Sequence, residues 1–374
     1  MSNAPLVRAW VEVRLDALRA NLEAVRRAVG PGPAVIAMVK ADGYGLGAVR
    51  VVRALEPLEP WGYGVATADE GVALRENGVR RPILVCGPLP PGATATAAAA
   101  DLIATVSDIA ALESWVAAGG GRGVEFHVEV DTGMGRSGFD WRESPAWAGR
   151  VREVAGGRAR WTGAYTHFHS ADASDATPTM TQWQRFQDAL AQFPVSREDL
   201  MVHAANSAAA IRWPELAGDA VRPGVFLYGG RAVEAGVTAR VRPRGVASVR
   251  ARIVRIREAP PGSTLGYGAT HRAVGWERWA TLSIGYGDGL PRTLSNVGEA
   301  IVRGRRVRII GRISMDMTVV DTTSVADAVI GDVATLLGRD RDEEITVDEV
   351  AERAGTISYE ILTRLTSRLP RVER

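Results

Sequence analysis

The sequence predicts a (β/α)8 barrel followed by a mostly β C-terminal domain. Three observations predict it. Up to about residue 230, eight short apolar runs alternate with helical patterns, the texture of a parallel α/β fold. No GxGxxG follows an early run, which argues against a doubly wound open sheet. After residue 240 the helical spacing gives way to strand-like stretches separated by turn signals.

The eight runs are "VIAMV" (35–39), "GYGVAT" (62–67), "PILVCG" (82–87), "LIATV" (102–106), "EFHVEV" (125–130), "GAYTHF" (163–168), "LMVHAA" (200–205) and "GVFLYG" (224–229). Each has the length and flanks of a buried strand. Between them, "ADEGVALRENGV" and "TQWQRFQDALAQF" show helical spacing with usable caps. "PLPPGATATAAAA" (88–100) reads as a loop running into a helix. The boundary falls in "GGRAVEAGVTARVRPRG" (229–245), giving a barrel over 1–240 and a β domain over 241–374. In that domain "VASVRARIVRIREA", "RWATLSIGYGDG", "EAIVRGRRVRIIGRISMDMTVVD" and "GDVATLLG" read as strands. Only "TVDEVAERAGTISYEILTRLTSRL" near the end reads as helical.

A chain of 374 residues suits one large or two ordinary domains. Its net charge of +2 asks for neither nucleic acid nor an anionic membrane. The basic run "IVRGRRVRIIGR" (301–312) alternates apolar and charged residues, as a half-exposed strand does. Cys86 is the sole cysteine, so an intrachain disulfide is excluded and a reducing compartment fits. The start "MSNAPLVRAWVEV" lacks an apolar signal region and no run reaches membrane-span length. A soluble, cytoplasmic protein is expected.

Barrels of this kind carry their chemistry where strands end. Lys40 follows the first run and is the only lysine among 45 Lys plus Arg. Arginine supplies charge and forked hydrogen bonds but cannot be deprotonated, so the exception points to amine chemistry. An amine just past a buried strand is partly desolvated, which favours its neutral, nucleophilic form. The alternative is a rim lysine in a salt bridge, a task this chain gives to arginine elsewhere. "DTGMGR" (131–136) follows the fifth run, His167 and "HSAD" the sixth, and Asn206 and Ser207 the seventh; "RPG" (222–224) opens the eighth, which closes on Tyr228. Small residues with exposed backbone after the seventh and eighth strands suit a phosphate. His167 and His169 form an HxH pair. A metal-hydrolase reading would want that pair after the first strand, and only His127, His203 and His271 remain, so no metal is expected.

Nine stretches occur in the order and spacing of one family: "VIAMVKADGYGLG", "VEVDTGMGRSG", "YTHFHSAD", "HAANSAAA", "VRPGVFLYG", "TLGYGATHRA", "LSIGYGDGLPR", "GRISMDM" and "ISYEILTRL". From about residue 10 to about 370 the chain resembles bacterial alanine racemase, a pyridoxal-phosphate enzyme of fold type III. The resemblance implies a homodimer with shared active sites, interconverting L-alanine and D-alanine for cell-wall peptidoglycan. It implies that Lys40 carries the pyridoxal 5'-phosphate through an imine. Tyr44, Asn206, Ser207, Gly224, Val225 and Tyr359 would hold the cofactor, mostly at its phosphate. Arg222 would face the pyridine nitrogen and His167 would lie near the ring. Tyr267 would be the second base, reaching in from the partner subunit. Arg136 and Met315 would contact substrate, with Tyr286 and Asp316 near the entrance.

Racemisation removes the Cα proton from one face and returns one to the other, so it needs acid/base groups on opposite sides of a flat imine. Lys40 and Tyr267 serve as that pair. A free tyrosine titrates at about 10, so Tyr267 needs positive neighbours; His167 and an arginine would supply them. An always-charged Arg222 cannot protonate the ring nitrogen, which leaves a weaker electron sink and disfavours other exits. Leu46 stands where the family often has histidine. Glu129 stands where many members have a carbamylated lysine that holds the substrate-contacting arginine. With no second lysine, Glu129 is expected to replace the carbamate and pair with Arg136. Two other readings are carried: a racemase of broader, serine or basic amino-acid specificity, and a non-catalytic pyridoxal-phosphate carrier. Such carriers resemble the lone barrel and lack both the β domain and the second base.

Overall fold

The computed structural model describes residues 7–374. Eight of the nine strands of the first sheet form a parallel barrel, the ninth being the short Phe139–Asp140 beside Val130 and Asp131: β2 (Ala34–Met38), β3 (Gly62–Val65), β4 (Ile83–Pro88), β5 (Ile103–Val106), β6 (Val124–Asp131), β7 (Ala159–Tyr165), β8 (Met201–Asn206) and β9 (Ala220–Arg222). They run in the order β5-β4-β3-β2-β9-β8-β7-β6, and pairing of β5 with β6 closes the barrel. Ala220 lies opposite Ala34 at one seam and Ala104 opposite Phe126 at the other. The strands read as continuous apolar runs because both faces are covered, one by helices and one by the barrel core. β3 and β5 are buried at every position.

The barrel interior is not uniformly apolar. Thr105, His127, Glu129, Tyr165, His203 and Arg222 are all buried and polar. His127 and Glu129 share one face of β6 by the two-residue period of a strand. This layer forms the floor of the site described below.

The eighth strand departs from the sequence expectation. It is Ala220–Arg222, not 224–229. Pro223 has no N–H to continue the ladder. The apolar segment after it folds into successive tight turns, with Leu227 N–H donating to Gly224 O, Tyr228 to Val225 O and Gly229 to Phe226 O. These residues are buried because they pack under the barrel mouth, so their apolar character imitated a strand.

A second sheet, of nine strands, follows. It comprises β1 (Ala9–Val13), β10 (Ala247–Ala259), β11 (Glu277–Leu282), β12 (Glu299–Val302), β13 (Arg305–Ile310), β14 (Thr318–Asp321), β15 (Val333–Asp340), β16 (Glu343–Ile345) and β17 (Arg371–Glu373). β1 lies antiparallel to β10 and parallel to β17, so the chain begins this sheet before entering the barrel. The basic run becomes the β12–β13 hairpin, turned by Arg303 and Gly304 at φ 50° and 76°. Its Arg306 is shared among Glu299, Glu343 and Glu349, so arginine here ties the sheet to the last helices. The helical stretch near the end splits into Val347–Ala354 and Ser358–Thr363 at Gly355, whose φ of 71° a β-carbon would disfavour.

Candidate active site

Lys40 stands two residues past the end of β2, on a backbone of unusual shape. Ala41, Asp42, Gly43 and Tyr44 all have φ between 52° and 61°. Three of these are not glycine, and such left-handed residues persist only where the surroundings hold them. Glu70 supplies the hold: its Oε1 accepts from Ala41 N–H and its Oε2 from Ala66 N–H, each at 2.7 Å. Asp42 Oδ1 accepts from Ala48 N–H at 2.8 Å. The sequence showed Glu70 only as one more polar residue in a helix.

One cleft is lined by Lys40, Tyr44, Arg136, His167, Asn206, Ser207, Arg222, Gly224 and Tyr359, together with Met38, Cys86 and Tyr165. The sequence placed none of the last three at the site. Tyr44 is buried and stacked on Tyr228 at 4.4 Å between ring centroids, and Tyr228 donates to Met38 O at 2.8 Å. A β-carbon on Gly224 would stand 2.2 Å from the Tyr44 hydroxyl. Only glycine lets that hydroxyl approach the loop.

Unspent donors gather at this end of the cleft. Ser207 Oγ accepts from Gly224 N–H at 2.7 Å and from Phe226 N–H at 3.4 Å, leaving its own hydrogen to donate. Asn206 caps the helix Ser207–Arg212 by accepting from Ala209 N–H. Among the described residues, the Val225 N–H and the Tyr44 and Tyr359 hydroxyls have no protein acceptor. Convergent donors without acceptors are the makings of an anion site.

Arg222 is buried beneath the other end. Nη1 donates to His203 Nδ1 at 2.5 Å and to His203 O at 3.0 Å. Nη2 donates to Thr166 O at 2.8 Å and Ala204 O at 3.2 Å, with His167 Nδ1 at 3.4 Å. Four of its five N–H groups are thereby engaged. The Nε–H alone lacks a protein acceptor among the described residues, and the cleft is what remains for it.

Burial, followed by the charges of Arg222, Arg136 and Lys40, lowers the His167 imidazole to about 3. It is therefore neutral at pH 7 and cannot supply the positive charge expected of it near Tyr267. The HxH pair also diverges: His169 is exposed and its Nδ1 lies 2.6 Å from Ser170 Oγ.

"DTGMGR" is shaped by Asp131, whose carboxylate accepts from Gly133 and Gly135 N–H at 2.9 and 3.1 Å. Gln182, buried on a helix, donates to Thr132 Oγ1 and His167 O and accepts from His169 N–H. It joins the two loops that bring Arg136 and His167 into the cleft, and nothing in its helical pattern announced this.

The expected ion pair of Glu129 with Arg136 is not formed. Glu129 is 3% exposed on the barrel floor, and its Oε2 has no hydrogen-bond partner. Arg136 sits beyond the Asp131 turn, exposed at the mouth. Burial raises the Glu129 carboxyl, and nearby Ser137, Arg136 and Arg222 oppose that rise.

Tyr267, Tyr286, Met315 and Asp316 do not line this cleft. They lie on loops of the second sheet, with Tyr267 69% exposed. Tyr286 and Met315 are held together: Tyr286 N–H donates to Ser314 O and Gly287 N–H to Met315 O. Asp316 accepts from Arg368 at 2.6 Å. Arg312 Nη1 comes within 3.0 Å of the point a β-carbon on Gly268 would occupy. An arginine thus stands beside the Tyr267 turn. A single chain therefore presents a cleft built on Lys40 and, apart from it, an exposed tyrosine.

Two family descriptions match the chain: "Alanine racemase, N-terminal domain" over residues 13–232 and "Alanine racemase, C-terminal domain" over residues 246–373. An alanine racemase of Synechocystis sp. is 39% identical over 373 residues, covering 98% of each chain. The crystal structure of alanine racemase from E. faecalis superposes with a TM-score of 0.92 at 30% identity, covering 98% of both chains. That of Bartonella henselae, solved with covalently bound pyridoxal phosphate, has a TM-score of 0.88 at 27% identity. It covers 98% of this chain and 100% of that one.

Proposed function

The chain belongs to the alanine racemase family, whose activity is the interconversion of L- and D-alanine, and from that premise we propose how its residues perform it. Pyridoxal 5'-phosphate is the cofactor, and Lys40 is the residue that carries it. The observation that carries this reading is the convergence of the only lysine with unspent donors at one end of the cleft and a single free Arg222 N–H at the other. A phosphate fits the Ser207 hydroxyl, the Val225 N–H and the hydroxyls of Tyr44 and Tyr359, over the space that Gly224 keeps open. A ring nitrogen bearing a lone pair fits the Arg222 Nε–H, because arginine donates and never accepts.

When bound, the cofactor supplies an electron sink that acidifies the substrate Cα–H. The remaining work falls to the chain. Lys40 takes or returns a proton at its Nζ on one face of Cα. Tyr267 does the same at its hydroxyl on the other face. Tyr267 of one subunit reaches the cleft of its partner, so that the barrel of one subunit and the β domain (241–374) of the other complete each site in a homodimer. Arg312 beside the Tyr267 turn stabilises phenolate charge. Arg136 binds the substrate carboxylate, with Met315 beside the substrate. Tyr286 and Asp316 flank the entrance. The D-alanine formed serves cell-wall peptidoglycan, in the cytoplasm.

Glu129 offsets the positive charge of Arg136 and Arg222 from the floor without touching Arg136. Glu129→Gln is expected to raise the KM for alanine about fivefold, near 1 kcal/mol, with kcat less affected. An unchanged KM would remove Glu129 from the substrate site.

Purified protein assayed against a panel of L-amino acids tests the reading as a whole. Alanine is expected to be racemised fastest. Activity confined to serine or to basic amino acids would overturn the substrate assignment. Bound cofactor without racemisation of any amino acid would favour a carrier.

A further inference from the structure

Behind Arg222 lie two buried imidazoles linked to it in line by hydrogen bonds. His203 takes the Arg222 Nη1 hydrogen on its Nδ1 at 2.5 Å, and its Nε2 lies 2.9 Å from His127 Nδ1. Both rings are about 1% exposed or less. Tyr165 stacks on His203 at 5.0 Å between centroids.

Hydrogen-bond chemistry gives this chain a direction. Arg222 can only donate, so His203 Nδ1 must present its lone pair. The His203 proton then sits on Nε2 and points at His127. His127 Nδ1 must in turn be an acceptor, which puts the His127 proton on Nε2. Protonating either imidazole would set a donor against a donor. The line reads Arg222 to His203 to His127, with both rings neutral. Burial and the Arg222 charge agree with this, lowering His127 to about 3 and His203 well below its usual value.

The fold makes room for the far ring. Gly163 lies opposite His127 in the β6–β7 pairing, next to a register shift. A β-carbon on Gly163 would stand 2.6 Å from three atoms of the His127 imidazole. No side chain larger than hydrogen leaves the ring where His203 can reach it.

We propose that His127 is a positioning residue: by accepting the His203 Nε2–H, it locks the ring that orients Arg222 toward the cofactor. This rests on the functional reading above as regards the cofactor, but the direction of the chain does not. Nitrogen-15 NMR of the five histidines in the wild-type holoenzyme tests that direction by itself. At pH 6, His203 and His127 are both expected as neutral rings protonated on Nε2. A proton on His203 Nδ1, or an imidazolium signal from either, would overturn the proposal.

In His127→Leu, kcat is expected to fall about tenfold in both directions, because the His203 N–H is left buried without an acceptor. The KM for alanine should stay within about twofold, and the absorption band of the bound cofactor should shift. His127→Asn keeps an acceptor near the Nδ1 position and should restore most of kcat and the wild-type band. Equal losses in both variants would mean that the ring only fills space, and would overturn the positioning role. A wild-type protein that racemises nothing would remove the functional reading and leave the nitrogen-15 pattern to judge the chain of imidazoles.

Discussion

Lys40→Arg is expected to lower alanine racemisation by about 10⁴-fold, the upper range for loss of a positioned acid/base group. The substitution keeps the charge and much of the length. It removes only what arginine lacks, an amine that can form an imine and release a proton. The effect should therefore appear in kcat and in covalent cofactor capture together. Borohydride reduction followed by peptide mass analysis should tag the wild-type peptide bearing Lys40 and leave the variant untagged. Activity above about one per cent of wild type would show that the amine is dispensable, against the loss expected for such a group. The distorted turn at Ala41, Asp42 and Tyr44, pinned by Glu70, bears on the same point. A backbone held in unfavourable φ on both sides of Gly43 is explained if the Lys40 side chain must be aimed.

Tyr267→Phe is expected to cost racemisation about 10³-fold while leaving half of the proton chemistry intact. In deuterium oxide, exchange at Cα should persist from one enantiomer and collapse from the other. Equal loss from both would count against two bases on opposite faces. The subunit origin of the tyrosine is separately measurable. Mixing Lys40→Arg with Tyr267→Phe should give hybrid dimers in which one site carries both lesions and the other carries none. Random reassortment then restores roughly a quarter of wild-type activity, as the symmetry of a twofold dimer requires. No recovery on mixing would mean that each chain supplies its own tyrosine. The exposure of Tyr267 and its absence from the cleft of its own chain favour recovery.

Most barrel strands were legible because a buried strand is apolar on both faces and its neighbours in sequence are helices. "GYGVAT" and "LIATV" became β3 and β5 within two residues at each end. "GVFLYG" misled for a physical reason. Burial, not pairing, sets apolar content, and the tight turns after Pro223 are as buried as a strand. The first strand of the second sheet, Ala9–Val13, was not legible, since its partners at 247–251 and 371–373 are hundreds of residues away.

The site divides along the same line. Lys40, Ser207, Arg222 and Gly224 stand at strand ends and in small-residue loops, where local pattern and chain order suffice to find them. Gln182 and Glu70 hold those loops from helices, and neither differs locally from an ordinary polar residue. His167 appeared in the sequence with the right neighbours but the wrong charge. Only its enclosure beside Arg222, Arg136 and Lys40 makes it neutral. Glu129 appeared seven residues from Arg136, yet the two do not meet, because the Asp131 turn carries Arg136 to the mouth while β6 keeps Glu129 on the floor.

By itself, then, the sequence determined which atoms are available: one amine in the whole chain, an arginine beside the eighth apolar run, and small residues with exposed backbone in the loops after the last strands. Those are properties of residue type and order, and they survive without coordinates. The tertiary structure alone decided which of these atoms share a dry environment and which way each hydrogen points. Arg222 meets His203, and His203 meets His127, across three different strands, and the direction of their hydrogen bonds follows from those meetings. Burial and contact are set by segments far apart in the chain, and no local pattern encodes them.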